Sequence, residues 1–308
     1  MSLEIFLITP QGFCAGVSRA LEIVEKCLQK YGKPLYVKHE IVHNKRVVED
    51  LKKQGVIFVN ELHEIPNNST VIFSAHGVSR QIEIEALAKN LNIIDATCPL
   101  VKKVHKKAID LHTKKYQIIL IGHTGHPEVI GTYGRVASNI FLVTSIEDVK
   151  KLNLNPKEPI GYITQTTLSI ADTQDIVDAI KEKYPSIDEK SSKNICYATE
   201  NRQQAIKALI NNLDALLVVG SNNSSNSNRL KEIGLSHNKP SFLIDSPTEI
   251  PFDLLHNVKK LGISAGASAP NVAIQEIIVA LQKFKKCKIT NFTFTEENVT
   301  FFLPKELR

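Results

Sequence analysis

Residues 5–21 read IFLITPQGFCAGVSRAL, and the rest of the chain repeats their pattern. Residues 5–8 are a short apolar run of the kind that forms a buried strand; Pro10 and Gly12 break it, and a helical pattern restarts after Gly16. Cys14 lies in the turn between them. A thiol at the carboxyl end of a strand, between two glycines and beneath a helix start, faces the crevice where α/β sheets bind ligands. The helix start also favours a thiolate. For one cysteine alone, a small apolar filler of a tight turn is the competing account. Recurrence elsewhere in the chain is what argues for chemistry.

Beyond this stretch, strands alternate with helices. PLYVK, VIFV, VIFSA, NIIDA, QIILIG, IFLVTS, PIGYITQ, ICYAT, LLVVGS, SFLID and LGISAG read as strands. NKRVVEDLKKQG, SRQIEIEALAKN, LVKKVHKKAIDLHTKK, IADTQDIVDAIKEKY, ENRQQAIKALINNL and APNVAIQEIIVALQKF are among the helices between them. That order predicts an α/β fold with parallel sheets covered on both faces. Cys14 and Cys98 are 84 residues apart, and Cys98 and Cys196 are 98 apart, each interval about one small α/β domain. Each of the three follows a strand on this reading, which predicts three similar units: 14–97, 98–194, and 1–13 with 195–285. Residues 286–308 form a β-type tail, within which 288–303 alternate like an antiparallel hairpin. Cys27, inside the first helix, is a packing residue.

The 308 residues are 43% hydrophobic and 23% charged, ordinary values for a soluble chain. No apolar run approaches the roughly 18 residues of a membrane span, and no charged leader precedes the first strand, so a cytoplasmic protein is expected. Five cysteines, an odd and scattered number, argue against a disulfide framework. A net charge of +6 suits an acidic small molecule or an acidic protein partner and is too mild to imply nucleic acid.

Two constellations carry chemistry. Cys14, Cys98 and Cys196 have no CxxC pairing, which sets aside zinc ribbons and local iron–sulfur runs. Single cysteines converging from separate units are another way to hold a cubane cluster, and three ligands on four irons leave one iron open as a Lewis acid and electron carrier. Buried structural thiols are the alternative. The second constellation is a set of small polar loops at strand ends or helix starts: His43-Asn44, His76-Gly77, His126-Pro127-Glu128, 164–169, 224–228 and 266–270. Ser, Asn and His donors with helix N-termini are what a phosphate needs, although any one such loop reads equally as a cap or turn. Neither a Walker run nor GxGxxG occurs, so no nucleotide is indicated. Glu128, among imidazoles in a closed site, would be a proton donor with a raised pKa; as a surface residue it would merely favour a helix start. The basic run 102–115 reads as the solvated face of a helix, and His63, His105, His112, His237 and His256 receive no role.

The motifs themselves are specific. GFCAGV (12–17), HEIVHN (39–44), SAHGVS (74–79), DATCPLV (95–101), GHPEVIGT (125–132), TQTTLS (164–169), GSNNSSNSNRL (220–230) and AGASAP (265–270) together resemble the IspH/LytB family of 4-hydroxy-3-methylbut-2-enyl diphosphate reductases of the non-mevalonate isoprenoid pathway. The resemblance implies a trefoil of three α/β units around an oxygen-sensitive [4Fe–4S] cluster held by Cys14, Cys98 and Cys196, with one iron free of protein ligands. It implies diphosphate binding by His43, His76, His126, Ser224, Asn226 and Ser268 with Ser225 beside them, proton donation by Glu128, and positioning of the substrate hydroxyl and a water by Thr166. The implied reaction is a two-electron reductive dehydroxylation, fed by a ferredoxin or flavodoxin, with no membrane or nucleic-acid partner. Rival readings are an iron–sulfur hydro-lyase needing no reductant, a zinc protein, and a nucleic-acid binder using residues 102–115.

Overall fold

The computed structural model describes residues 2–188 and 194–308. In chain order the elements are β1 Leu3–Thr9, α1 Ala15–Tyr31, β2 Leu35–Lys38, α2 Lys45–Lys53, β3 Val56–Val59, β4 Thr70–Phe73, α3 Arg80–Ala88 and β5 Asn92–Asp95. Next come α4 Pro99–Thr113, β6 Gln117–Ile121, α5 Pro127–Tyr133, β7 Ile140–Val143, α6 Ile146–Lys151, β8 Ile160–Thr164 and α7 Ile170–Lys183. The chain finishes with α8 Tyr197–Leu209, β9 Ala215–Val219, α9 Ser225–Ser236, β10 Ser241–Ile244, α10 Phe252–Leu255, β11 Lys260–Ala265, α11 Asn271–Phe284 and β12 Cys287–Thr293. The strands make three parallel sheets ordered β10-β9-β11-β1-β12, β3-β2-β4-β5 and β7-β6-β8. The fold class is therefore the expected one, three small parallel-sheet α/β units.

Two compact units result. One comprises Met1–Ser18, His43–Asp50 and Tyr197–Thr300; the other comprises Arg19–Val42, Leu51–Cys196 and Phe301–Arg308. The first holds the five-stranded sheet. Its interior strands β9 and β11 are almost wholly buried because successive side chains point to opposite faces and both faces are covered. Ala215, Leu217 and Val219 face α11 through Ile274, Ile277 and Leu281. Leu216 and Val218, one residue out of phase, face Ile206 and Leu209 of α8 and Leu230 of α9.

The second unit holds the other two sheets. In the three-stranded one, Ile119 and Ile121 pack toward Ile176 and Ile180 of α7, while Ile118 and Leu120 pack toward Val104, Ala108 and Leu111 of α4. The four-stranded sheet packs Tyr36, Val71 and Phe73 with Ala86 of α3. Among the described residues no helix is long and apolar enough to cross a membrane.

Two local expectations are corrected. The segment ICYAT is not a strand: Asn194, Ile195 and Cys196 are irregular and α8 starts at Tyr197. The tail does not fold back as an antiparallel hairpin. Its one strand, β12, runs parallel to β1 as the edge of the five-stranded sheet, with Leu3 opposite Cys287 and Thr9 opposite Thr293. Cys27 is buried in α1, where burial pushes its thiol pKa up to about 11, in keeping with the packing role.

Candidate active site

Each of the three singled-out cysteines is the residue directly before a helix: Cys14 before α1, Cys98 as the N-cap of α4, and Cys196 before α8. Cys14 and Cys98 follow strands, β1 and β5; Cys196 does not, because its supposed strand is the irregular segment just described. The amide N–H of each donates to a loop carbonyl, Cys14 to Ala267 (3.1 Å), Cys98 to Ala75 (3.0 Å) and Cys196 to Thr166 (3.0 Å). Those bonds fix each Cα independently of what the sulfur binds. All three are half-buried and none is in a disulfide, so their donor chemistry and partial shielding fit a thiolate-ligated iron–sulfur group. Among the described residues, no group of three or more His, Cys, Asp and Glu side chains is gathered for a single metal ion.

In the first unit, His43 and Ser268 are joined directly, Ser268 Oγ donating to the His43 carbonyl at 2.8 Å. Asn44, beside His43, caps α2 by accepting the Val47 amide on Oδ1 (3.0 Å). Ser224 caps α9, accepting from the Ser227 amide (3.3 Å), so that Ser225 and Asn226 form the first positions of the helix. The Asn226 amide is only 4% exposed, yet neither its Nδ2 nor its Oδ1 makes a hydrogen bond within the protein. An unpaired buried amide costs about 1–3 kcal/mol, and this one lies at the start of a twelve-residue helix, the end at which backbone N–H groups favour an anion. The 266–270 loop lies against it: a Cβ on Gly266 would sit 3.5 Å from Asn226 Nδ2.

In the second unit, Glu128 is 2% exposed at the second position of α5. Thr166 donates twice to its carboxyl, from its amide N–H to Oε1 (2.7 Å) and from Oγ1 to Oε2 (2.8 Å). Burial raises the carboxyl pKa to about 7 against those two bonds, which favour the ionised form. Thr166 thus ties the acid to Cys196 as well, since its carbonyl takes the Cys196 amide. Asn194 secures the same segment by donating its amide N–H to Thr164 Oγ1 at 2.7 Å.

His126 caps α5, its Nδ1 accepting from the Glu128 amide (3.2 Å), and its ring meets His76 edge-to-face at a centroid distance of 5.9 Å. Two glycines allow that approach. Gly77 has φ +77°, and a Cβ there would lie 2.6 Å from His105 Cε1; a Cβ on Gly134 would run into Ser79, and the Gly134 carbonyl accepts the Arg80 amide at 2.9 Å.

His105 is the residue that sequence reasoning passed over. It is buried, and burial followed by the Arg135 charge pushes its pKa down to about 3, so it is neutral. Nδ1 accepts from Arg135 Nε (3.1 Å), which assigns the proton to Nε2, and Arg135 in turn pairs with Glu83 at 2.6 Å. The signal was present: Val101, Val104, His105, Ala108 and Leu111 share one face of α4 and are all buried, while Lys102, Lys103 and Lys106 are exposed. Within one unit the predicted residues His43, Ser224, Ser225, Asn226, Ser268 and Cys14 are therefore found, and within the other His76, His126, Glu128, Thr166, Cys98 and Cys196.

Comparison with known proteins adds the following. The LytB protein family matches residues 5–282. The chain is 51% identical over 303 residues to 4-hydroxy-3-methylbut-2-enyl diphosphate reductase 1 of Rhodopseudomonas palustris, covering 98% of this chain and 99% of that one. Its fold is similar to a solved E-1-hydroxy-2-methyl-but-2-enyl-4-diphosphate reductase from Plasmodium falciparum, with a TM-score of 0.96, 41% identity, and coverage of 100% of this chain and 97% of that one. A second solved structure, described as the terminal enzyme of the non-mevalonate pathway, matches with a TM-score of 0.66 and 32% identity over 91% of this chain and 99% of that one.

Proposed function

The chain belongs to the LytB family, and from that premise we propose that it reduces (E)-4-hydroxy-3-methylbut-2-enyl diphosphate to isopentenyl and dimethylallyl diphosphates, the closing step of the non-mevalonate pathway. The family is one of iron–sulfur enzymes, and in this reading Cys14, Cys98 and Cys196 hold a [4Fe–4S] cluster with one iron lacking a protein ligand. When bound, that group supplies the two electrons and a Lewis-acid site for the substrate hydroxyl. The allylic C–O bond breaks, a C–H bond forms, and two electrons and two protons leave one water beside each product.

The observation that carries the reading is Glu128. Hydroxide leaves poorly and water leaves well, so the reaction needs an acid that still holds its proton near neutrality, out of bulk solvent. A carboxyl with a pKa of about 7, buried and bonded on both oxygens, meets that need. In its protonated form the Oε2–H donates to Thr166 Oγ1, which then has its own hydrogen to turn toward the substrate hydroxyl or a water. Diphosphate binding falls to His43, Ser224, Ser225, Asn226 and Ser268, together with His76 and His126; the unpaired Asn226 amide supports this most directly. A small acidic one-electron carrier, ferredoxin or flavodoxin, suits the net charge of +6, and a reducing cytoplasm suits the thiols.

Anaerobic purification with iron and sulfide analysis, followed by assay with and without a low-potential reductant, tests the reading. A brown protein that converts the substrate only when reduced is expected. A colourless protein, or turnover without reductant, would refute it, the latter in favour of a hydro-lyase.

A further inference from the structure

The C-terminal segment and the loop before Cys98 meet on one side chain. Arg19, in α1, is 7% exposed. Its Nε donates to the Phe302 carbonyl at 2.8 Å, and its Nη1 donates to the carbonyls of Ala96 and Thr97, both at 3.2 Å. Lys30 stands eleven residues further along α1, three turns on and so on the same face, and its Nζ donates to the Glu306 carbonyl at 2.6 Å. Leu307 is buried. Residues 301–308 are thus fastened along α1 at two points, one of which is the guanidinium that also grips the two residues preceding Cys98.

Arginine suits this place for a physical reason. Its planar fork offers several donors in fixed directions and stays charged when buried, whereas an ammonium is a compact point charge on a flexible stem that fixes no direction. Burial pulls the guanidinium pKa below its ordinary value, and the neighbouring Asp95, followed by Cys98, works against that. Every acceptor it uses is a backbone carbonyl, so the arrangement depends on chain path and not on the side chains at 96, 97 or 302.

We propose that Arg19, locked by the C-terminal strap 301–308, is a positioning residue for Cys98: it sets the direction of the thiol through the Ala96 and Thr97 carbonyls, and its fixed charge raises the reduction potential of the iron–sulfur group bound there. The inference rests on the reading of Cys98 as a ligand. Potentials of such groups respond to nearby charge and to hydrogen bonding around the ligands, and a cation favours the reduced, more negative state.

The test compares Arg19→Met, Arg19→Lys, a chain ending at Thr300, and Cys98→Ser, all purified anaerobically. Iron per chain, the electron paramagnetic resonance spectrum of the reduced protein and the midpoint potential are measured. Arg19→Met and the shortened chain should show a more negative potential and an altered spectrum, with reduced iron content. Arg19→Lys, which keeps the charge and loses the fork, should restore most of the potential but not the parental spectrum. An Arg19→Met protein with parental iron, spectrum and potential overturns the proposal; if that protein fails to fold, an Arg19→Lys protein with the parental spectrum does so instead. Cys98→Ser separates the two levels. Full iron in that variant sinks the ligand reading and the proposal with it, whereas its loss of iron beside a parental Arg19→Met sinks the proposal alone.

Discussion

Replacing Glu128 by Gln separates the acid's chemistry from its structural cost. The amide is isosteric with the protonated acid and can keep both contacts to Thr166, accepting the backbone N–H and donating to Oγ1. Because burial raises the folded-state pKa from 4.5 to about 7, the native protein binds more protons than the unfolded chain between those values. The stability held by the neutral carboxyl is therefore complete below pH 4.5 and is lost as pH rises through 7, a loss of about 3 kcal/mol. Gln does not titrate. Urea unfolding of parent and Glu128→Gln across pH 5–8 should show two curves that separate as pH rises from 5 to about 7 and then run parallel, the variant being the more stable at pH 8 by about 3 kcal/mol. In the same preparations kcat should fall by about 10²–10⁴, the usual contribution of a general acid, with substrate affinity nearly unchanged. Parental turnover should itself decline as pH rises through about 7. Stability curves parallel across the whole range would refute the raised pKa, and near-parental turnover would refute the role of the acid.

Asn226→Leu should behave oppositely on stability and binding. Removing an amide that is buried without a hydrogen bond should stabilise the protein by about 1–3 kcal/mol, and losing a bond to a charged group should weaken diphosphate binding about 10–150-fold. Thermal melts and inhibition by inorganic diphosphate measure the two effects, and unchanged inhibition would remove Asn226 from the site. Gly77→Ala imposes a left-handed backbone on a side chain and drives its Cβ into His105, so KM should rise more than kcat falls, with a stability loss of about 1–2 kcal/mol. A variant with parental KM would show that the 76–77 loop need not be held. Cys196→Ser should abolish stable iron loading, and full iron content by chemical analysis would exclude Cys196 as a ligand.

Much of this could be read from residues in a row, and what could not depends on partners far along the chain. LLVVGS announced a strand covered on both faces, and Leu216 and Leu217 do face different helices. ICYAT misled because a short apolar run with a β-branched residue fits either period; only the helix that follows, with Ala198, Arg202, Ala205 and Leu209 buried, resolves it. The tail alternated correctly as a strand, yet alternation says nothing of direction, and its partner β1 lies at the other end of the chain. His105 was hidden by its lysine neighbours. Glu128 and Thr166 were both named from their motifs, but the paired bonds between them, 38 residues apart in sequence, belong to the folded chain alone.

The position of β1 between β11 and β12 also orders events in time. Its neighbours are β11 and β12, which begin at Lys260 and Cys287. On a ribosome adding about 5–20 residues per second, β1 waits roughly 13–50 s for the first of its partners to be made. Until then residues 3–9 are an apolar strand with two open edges, a template for wrong pairing and a natural client for a chaperone. The Cys14 turn, whose amide is held by Ala267, cannot take its shape earlier either. On the reading of Cys14 as an iron ligand, its loading waits until residue 267 has been made, and starving cells of chaperone capacity should lower holoprotein yield before it lowers synthesis.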